Sequence, residues 1–191
     1  MKKIFFFLIL HSLSFHLSAQ FVDSFSTPDL AAHWQGDTDQ FVINNGELQL
    51  NNLSAESSND TYLFTLAPTS MANETEWFFT ARCEFAPSTG NRATIYLAID
   101  QVPTGDDFNG YFLKVGGISG SDDALELYRQ DGNSSTLLIA GTTAAVGLDP
   151  VTIGVLVTRT TDGEWTLEAD YTGGEDYDVQ GTIIDDTYPS S

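Results

Sequence analysis

Carboxylates are the most abundant reactive groups in this chain, with 27 Asp and Glu against seven Lys and Arg. Glycoside hydrolysis needs two such groups facing a cleft, about 5–10 Å apart. Glu74 with Glu76, and Glu168 with Asp170, stand two residues apart in alternating segments, which puts each pair on one strand face about 7 Å apart. Glu76 and Glu84 also share a face, but eight residues of strand separate them by roughly 26 Å. A solvated strand face has the same alternation, so these acids read as surface and no catalytic residue is assigned. Other chemistries lack parts. Beyond the first twenty residues His33 is the single histidine, which leaves a serine or cysteine nucleophile without a base and zinc without ligands. Gly117-Ile118-Ser119-Gly120 has neither the spacing nor the following helix of a nucleophile elbow, and Gly116, Gly117 and Gly120 do not form a phosphate cradle. Cys83 is the only cysteine. It falls on the apolar side of its segment and reads as a buried, inert thiol.

Two binding chemistries stay open. Asp106-Asp107, Asp122-Asp123 and Asp185-Asp186 are paired acids between strands, with Asp37 and Asp39 near the first hairpin, and hard cations take such oxygens. None has EF-hand spacing; Asp106, Asp107, Asp122 and Asp123 are the candidate ligands of a structural Ca2+. Sugar binding asks for exposed aromatic rings beside polar groups. Phe78, Tyr96, Phe112 and Tyr128 lie opposite the main apolar sets of their strands and are the candidate ligand-binding residues. The same four become core if the sheets are covered on both faces, and strands this apolar incline to that reading.

The positions of these residues follow from a two-residue period. Trp77, Phe79, Ala81, Cys83 and Phe85 alternate with polar residues, Phe78 being the misfit. Ile95, Leu97 and Ile99 form a second set; Tyr111, Leu113 and Val115 a third; and Leu125, Leu127 and Arg129 a fourth. Gly and Asp in 116–123 supply the turn between the last two. Before this centre, Thr27 caps a short helical turn over Pro28 to His33, flanked by Phe25 and Trp34. Asn45-Gly46 then joins Phe41 and Ile43 to Leu48 and Leu50 as a hairpin. Tyr62, Phe64 and Leu66 mark another strand. After the centre come Leu137 to Ile139, a hairpin of Val151–Val157 and Trp165–Tyr171 around Asp162-Gly163, and a last short strand at Thr182 to Ile184. Ten to twelve short strands with frequent turns predict an all-β, two-sheet antiparallel jelly-roll sandwich, not a closed barrel.

Lys2 and Lys3, the apolar run from Ile4 to Leu10 and the small residues before Gln20 read as a signal peptide, residues 1–19, cut after Ala19. His11, Ser12, Ser14 and His16 interrupt a stretch already short for a membrane anchor. Residues 20–191 are then a single β-sandwich domain, secreted or on the cell surface. Without Lys2 and Lys3, five basic residues face 27 acidic ones, a balance of −22. Such a surface repels nucleic acid and anionic lipid and keeps exported molecules apart. No nucleic-acid partner and no membrane insertion of the mature chain are expected. Asn52, Asn59, Asn73 and Asn133 head glycosylation acceptor triplets.

The strings DSF, WQGDTDQFVINNGELQL, EWFFTARCEFAPSTGNRATIYLAID, NGYFLKVGG, DALELYRQDG and VTRTTDGEWTLEADY span nearly all of the mature chain. Together they resemble the amino-terminal region of large exported Bacteroidetes surface proteins that carry lamin-tail domains and carboxy-terminal sorting segments. The resemblance implies a concanavalin A-like, laminin G-like jelly roll, non-catalytic, with glycan or another cell-surface component as its contact, and it supplies no ligand residues. Chains of that kind continue with further strands, so the sandwich is expected to lack its last ones. A secreted binding or display module for carbohydrate follows; the alternatives are a structural or adhesion spacer and, less favoured, a glycoside hydrolase of the concanavalin A-like superfamily.

Overall fold

Among the described residues the chain forms twelve strands: β1 (Gln35–Gly36), β2 (Phe41–Asn44), β3 (Glu47–Leu50), β4 (Leu63–Phe64), β5 (Thr75–Cys83), β6 (Ala93–Ile99), β7 (Phe108–Val115), β8 (Leu125–Gly132), β9 (Ser134–Ala140), β10 (Val151–Arg159), β11 (Glu164–Asp170) and β12 (Asp178–Ile184). The computed structural model describes residues 21–27, 29–51, 61–66, 74–102 and 107–188. The leader assigned to 1–19, Gln20, Pro28, Asp106 and the acceptors Asn52, Asn59 and Asn73 lie outside these residues. With 52% strand and 4% helix the fold is all-β, its sheets are antiparallel, and they do not close into a barrel. The chain divides into two compact units between residues 69 and 70.

In the first unit β2 and β3 form the expected hairpin. Asn45 at φ 54° and Gly46 at φ 81° both take the left-handed conformation that a two-residue turn needs, which Asn-Gly tolerates best. The helical turn is a 3-10 turn, Leu30–Ala32. It starts after Asp29, which makes no side-chain capping bond, so the expected Thr27 cap is replaced by a later start. Phe25 stacks on Trp34 at 6.0 Å, and the Trp34 indole donates to Asp23 at 2.7 Å.

In the second unit two four-stranded sheets, ordered β12-β11-β10-β5 and β6-β7-β8-β9, share one core in a sandwich-like arrangement. The chain passes from one sheet to the other after β5 and again after β9. Ile153, Val155, Val157, Trp165 and Leu167 of the first sheet and Tyr111, Leu113, Val115, Leu125 and Leu127 of the second are fully buried. Burial of this many large apolar side chains supplies the main driving force, at about 1.5–3 kcal/mol each. Cys83 joins this core, where burial pushes its thiol up and away from reactivity.

Two departures from simple alternation matter. A bulge between Tyr96 and Ala98 sets Ile95 against Leu113 but Ala98 against Tyr111, so Ile95, Leu97 and Ile99 do not form the regular set expected. Gly110 lies opposite Ile99, at φ 147°, and a Cβ there would come within 2.1 Å of the Ala98 carbonyl oxygen. Only glycine fits beside this bulge.

The inner rows of β8 and β10 each end in an arginine, and each arginine meets one acid of the Asp185-Asp186 pair just past β12. Arg129 Nη1 donates to Asp185 while its Nε pairs with Asp131 at 2.9 Å; Arg159, buried over the Trp165 ring, pairs with Asp186 at 2.6 Å. Asp185 also accepts from the buried Tyr111 hydroxyl at 2.7 Å and the Thr187 amide at 3.1 Å, and its carbonyl takes the Trp165 indole N–H at 3.0 Å. The two acids of this loop therefore each neutralise one arginine, Asp185 with Arg129 and Asp186 with Arg159.

Burial alone would raise the Asp185 carboxyl, but hydrogen bonds from Tyr111, Thr187 and Arg129 hold it below the usual carboxylate range. A folded value below the unfolded one adds stability that is present above about pH 4 and lost as pH falls through the folded value. Asp185→Asn should cost about 2 kcal/mol at pH 7 by urea unfolding, with a smaller gap from the wild type at pH 3. An equal gap at both pH values would contradict this role for the charge.

Candidate functional site

Once Tyr111, Leu113, Leu125 and Leu127 face the core, the period of the strand turns Phe112, Lys114, Glu126 and Tyr128 to the outer face of the β6-β7-β8-β9 sheet. Register then lines up one residue from each strand: Tyr96 opposite Phe112, Phe112 opposite Tyr128, Tyr128 opposite Leu137. This apolar row runs across all four strands, about 14 Å at the usual strand spacing. Tyr96 is 38% and Leu137 46% exposed at its ends, while Phe112 and Tyr128 are half-buried. Phe108, two positions along β7 beyond Gly110, is buried among Tyr96 (5.3 Å between ring centroids) and Phe112 (6.3 Å).

The rings are not a flat platform. Phe112 and Tyr128 are parallel within 7° with centroids 5.2 Å apart, too close to lie side by side, so they present their faces to each other and their edges outward. Tyr96 is tilted by 49° to Phe112 at 6.0 Å and is the most open ring of the row.

Polar groups border one side. The Tyr128 hydroxyl donates to Glu126 Oε2 at 2.7 Å, Lys114 Nζ stands 3.9 Å from the same oxygen, and it lies 4.5 Å from the Tyr128 ring centroid. Burial, with Glu126 beside it, raises the Tyr128 phenol well beyond its ordinary value, so it stays a donor. Glu126 is only 5% exposed, and these two partners meet its buried Oε2.

Three of the four aromatic residues singled out in the sequence thus come together. Phe78 does not: it is 57% exposed on the outer face of β5, in the other sheet, edge-on to Tyr177 at 6.4 Å. Phe108, Lys114, Glu126 and Leu137 were missed. Their signal was the register between strands, although Phe108 shares the parity of Phe112 and was within reach had the strand been started three residues earlier.

The acids go elsewhere. Asp123, 2% exposed, turns inward to accept the Ile118 amide at 2.9 Å and closes the glycine-rich turn, while Asp122 and Asp107 are exposed. Among the described residues no group of three or more His, Cys, Asp or Glu side chains is gathered in one place to hold a metal ion. Of the acid pairs weighed for hydrolysis, Asp170 accepts from the Thr172 hydroxyl (2.6 Å) and amide (2.8 Å) and from the Asp176 amide (3.1 Å). Those bonds lower its carboxyl, the opposite of what a general acid requires.

The stacked pair gives a direct test of this geometry. A double-mutant cycle of Phe112→Leu and Tyr128→Leu, read by urea unfolding, should return a coupling of about 1 kcal/mol. Additive losses would mean that the two rings do not stack. Comparison with protein-family models, with curated proteins and with solved structures finds no match to this chain.

Proposed function

We propose that this chain is a non-catalytic binding or display module of an exported protein, a concanavalin A-like, laminin G-like jelly roll whose outer aromatic row takes glycan. The observation that carries the reading is the row Tyr96, Phe112, Tyr128 and Leu137, continuous across four strands and outside the core. Packing between the sheets does not require large apolar residues at these outer positions, and a contiguous apolar patch bordered by polar groups is what an interaction site looks like. Tyr96 supplies the most exposed ring, the Phe112 and Tyr128 edges a ridge beside it, and Lys114 and Glu126 the hydrogen-bonding border. Sugars suit such a site because their C–H faces lie on aromatic rings while their hydroxyls meet polar groups.

A spacer role is the second reading, favoured by the mutual stacking of Phe112 and Tyr128, which already uses part of their surface.

A glycan array followed by calorimetry separates the two readings. At least one class of oligosaccharide should bind, and Tyr96→Ala should weaken that binding tenfold or more (over about 1.4 kcal/mol) at a temperature where its melting curve shows the variant still folded, the lost contacts with Phe108 and Phe112 lowering its melting temperature. An array without binders, or binding indifferent to Tyr96→Ala, would leave the spacer reading.

A further inference from the structure

The second unit has four edge strands, β12 and β5 in one sheet and β6 and β9 in the other. A row of unpaired backbone groups is a template for another chain, and proteins blunt such edges with bulges, proline, lysine or a covering segment. Three of the four edges carry a bulge. The register slips at Leu97 on β6, at Leu138 on β9 and at Gln180 on β12, each of which has no opposite number on the neighbouring strand. The exception is β5. Its nine residues, Thr75–Cys83, pair one for one with Arg159 to Val151 of β10 without a slip, and no described strand pairs with its other side. The strand holds neither proline nor lysine. Its outer face, Glu76, Phe78, Thr80 and Arg82, is exposed, and Phe78 is more open than any ring of the aromatic row.

The side chains of β5 say what fits this edge. Two identical strands that pair antiparallel along their whole length have a single register, centred here on Phe79, the middle residue of the nine. That register sets Glu76 of one copy opposite Arg82 of the other, twice by symmetry. It also sets Phe78 opposite Thr80, with the two Phe78 rings as diagonal neighbours about 7 Å apart. Opposite charges and aromatic diagonals are the cross-strand pairs that stabilise an antiparallel ladder. Arg82 already bridges to Glu84 on its own strand at 2.7 Å, but its side chain is 50% exposed and its planar guanidinium has room for a second carboxylate. Glu84 and Glu74 fall opposite each other just past the strand ends, where Arg82 lies beside one and diagonal to the other.

We propose that two copies of this chain join edge to edge through β5, antiparallel about a twofold axis at Phe79, so that the two β12-β11-β10-β5 sheets run on as one. The excess of acids on each copy opposes this union. The dimer is therefore weak and forms at high protein concentration, in salt that screens charges beyond about 8 Å.

Sedimentation velocity of the whole chain at about 0.15 M salt should show a monomer giving way to a dimer as concentration rises. Glu76→Arg or Arg82→Glu alone sets like charges opposite each other at two places and should raise the dissociation constant about tenfold. The double variant Glu76→Arg/Arg82→Glu restores opposite charges and should return to within about threefold of the wild type. Melting curves check that the three variants fold. Hydrogen exchange reads the same contact without a substitution: amides of β5 should exchange faster on dilution, while those of β6, β9 and β12 keep their rates. A monomer at every concentration, a dimer indifferent to both single variants, or one that the double variant leaves broken would overturn the proposal. So would protection that responds to dilution at β6, β9 or β12 in place of β5. None of these outcomes bears on the glycan reading, whose row lies on the other sheet.

Discussion

Trp165 has to bury a large indole between two sheets without stranding its N–H, and much of the second unit is arranged around that requirement. The ring sits 4.3 Å from Tyr111 of the facing sheet and 5.6 Å from Trp77 of its own, and the indole donates to the Asp185 carbonyl. That bond brings residues 185–188 across the end of the sandwich, where the Asp185 side chain takes Tyr111 and Arg129 from β7 and β8. Tyr188 follows, its hydroxyl donating to Asp131 at 2.6 Å, and that bond raises the phenol to about 12. Trp77 closes the opposite margin by donating to the Leu97 carbonyl at 3.1 Å. Trp77, Tyr111 and Trp165 thus each carry one polar atom between the sheets, and each of those atoms reaches a partner on the other sheet or at its end.

The outer surface inherits its order from this interior. A strand that commits Tyr111 and Leu113 to the core cannot choose where Phe112 and Lys114 point, and the antiparallel register then sets Phe112 beside Tyr128 and Lys114 beside Glu126. On β6 the bulge after Tyr96 changes which residues reach the core but leaves Tyr96 in line with Phe112. Gly110 permits this by leaving room for the Ala98 carbonyl. What packing leaves undetermined is the choice of residue at the outer positions, and there the chain carries aromatics and an ion pair in place of scattered polar groups.

Much of the fold was legible because its signals are local. The Asn45-Gly46 and Asp162-Gly163 turns, the alternation of β5, β7 and β8, and the buried Cys83 need only neighbours in sequence. Even the inward parity of Arg129 with Leu125 and Leu127 could be read, though not its reason, since Asp185 is 56 residues away. The aromatic row was half legible: parity set Tyr96, Phe112 and Tyr128 opposite the core sets, but the apolar strands inclined the reading to a second buried face, whereas Tyr96 and Phe78 are exposed, and the same parity also held for Phe78 on a strand of the other sheet. Parity says which face a residue takes and nothing about which sheet. Adjacent acids part for a similar reason, because neighbours in a turn point apart: Asp123 folds under its loop while Asp122 stays in solvent.

The central claim is that a ligand contacts the outer face of the β6-β7-β8-β9 sheet along one row. Backbone and aromatic chemical-shift mapping by NMR, during titration with an oligosaccharide selected from the array, addresses it most directly. Shifts are expected at Tyr96, Phe112, Tyr128, Leu137 and the flanking Lys114 and Glu126, with Phe78 and Tyr177 unmoved. Shifts centred on Phe78, or on the acidic turn at 172–177, would contradict it.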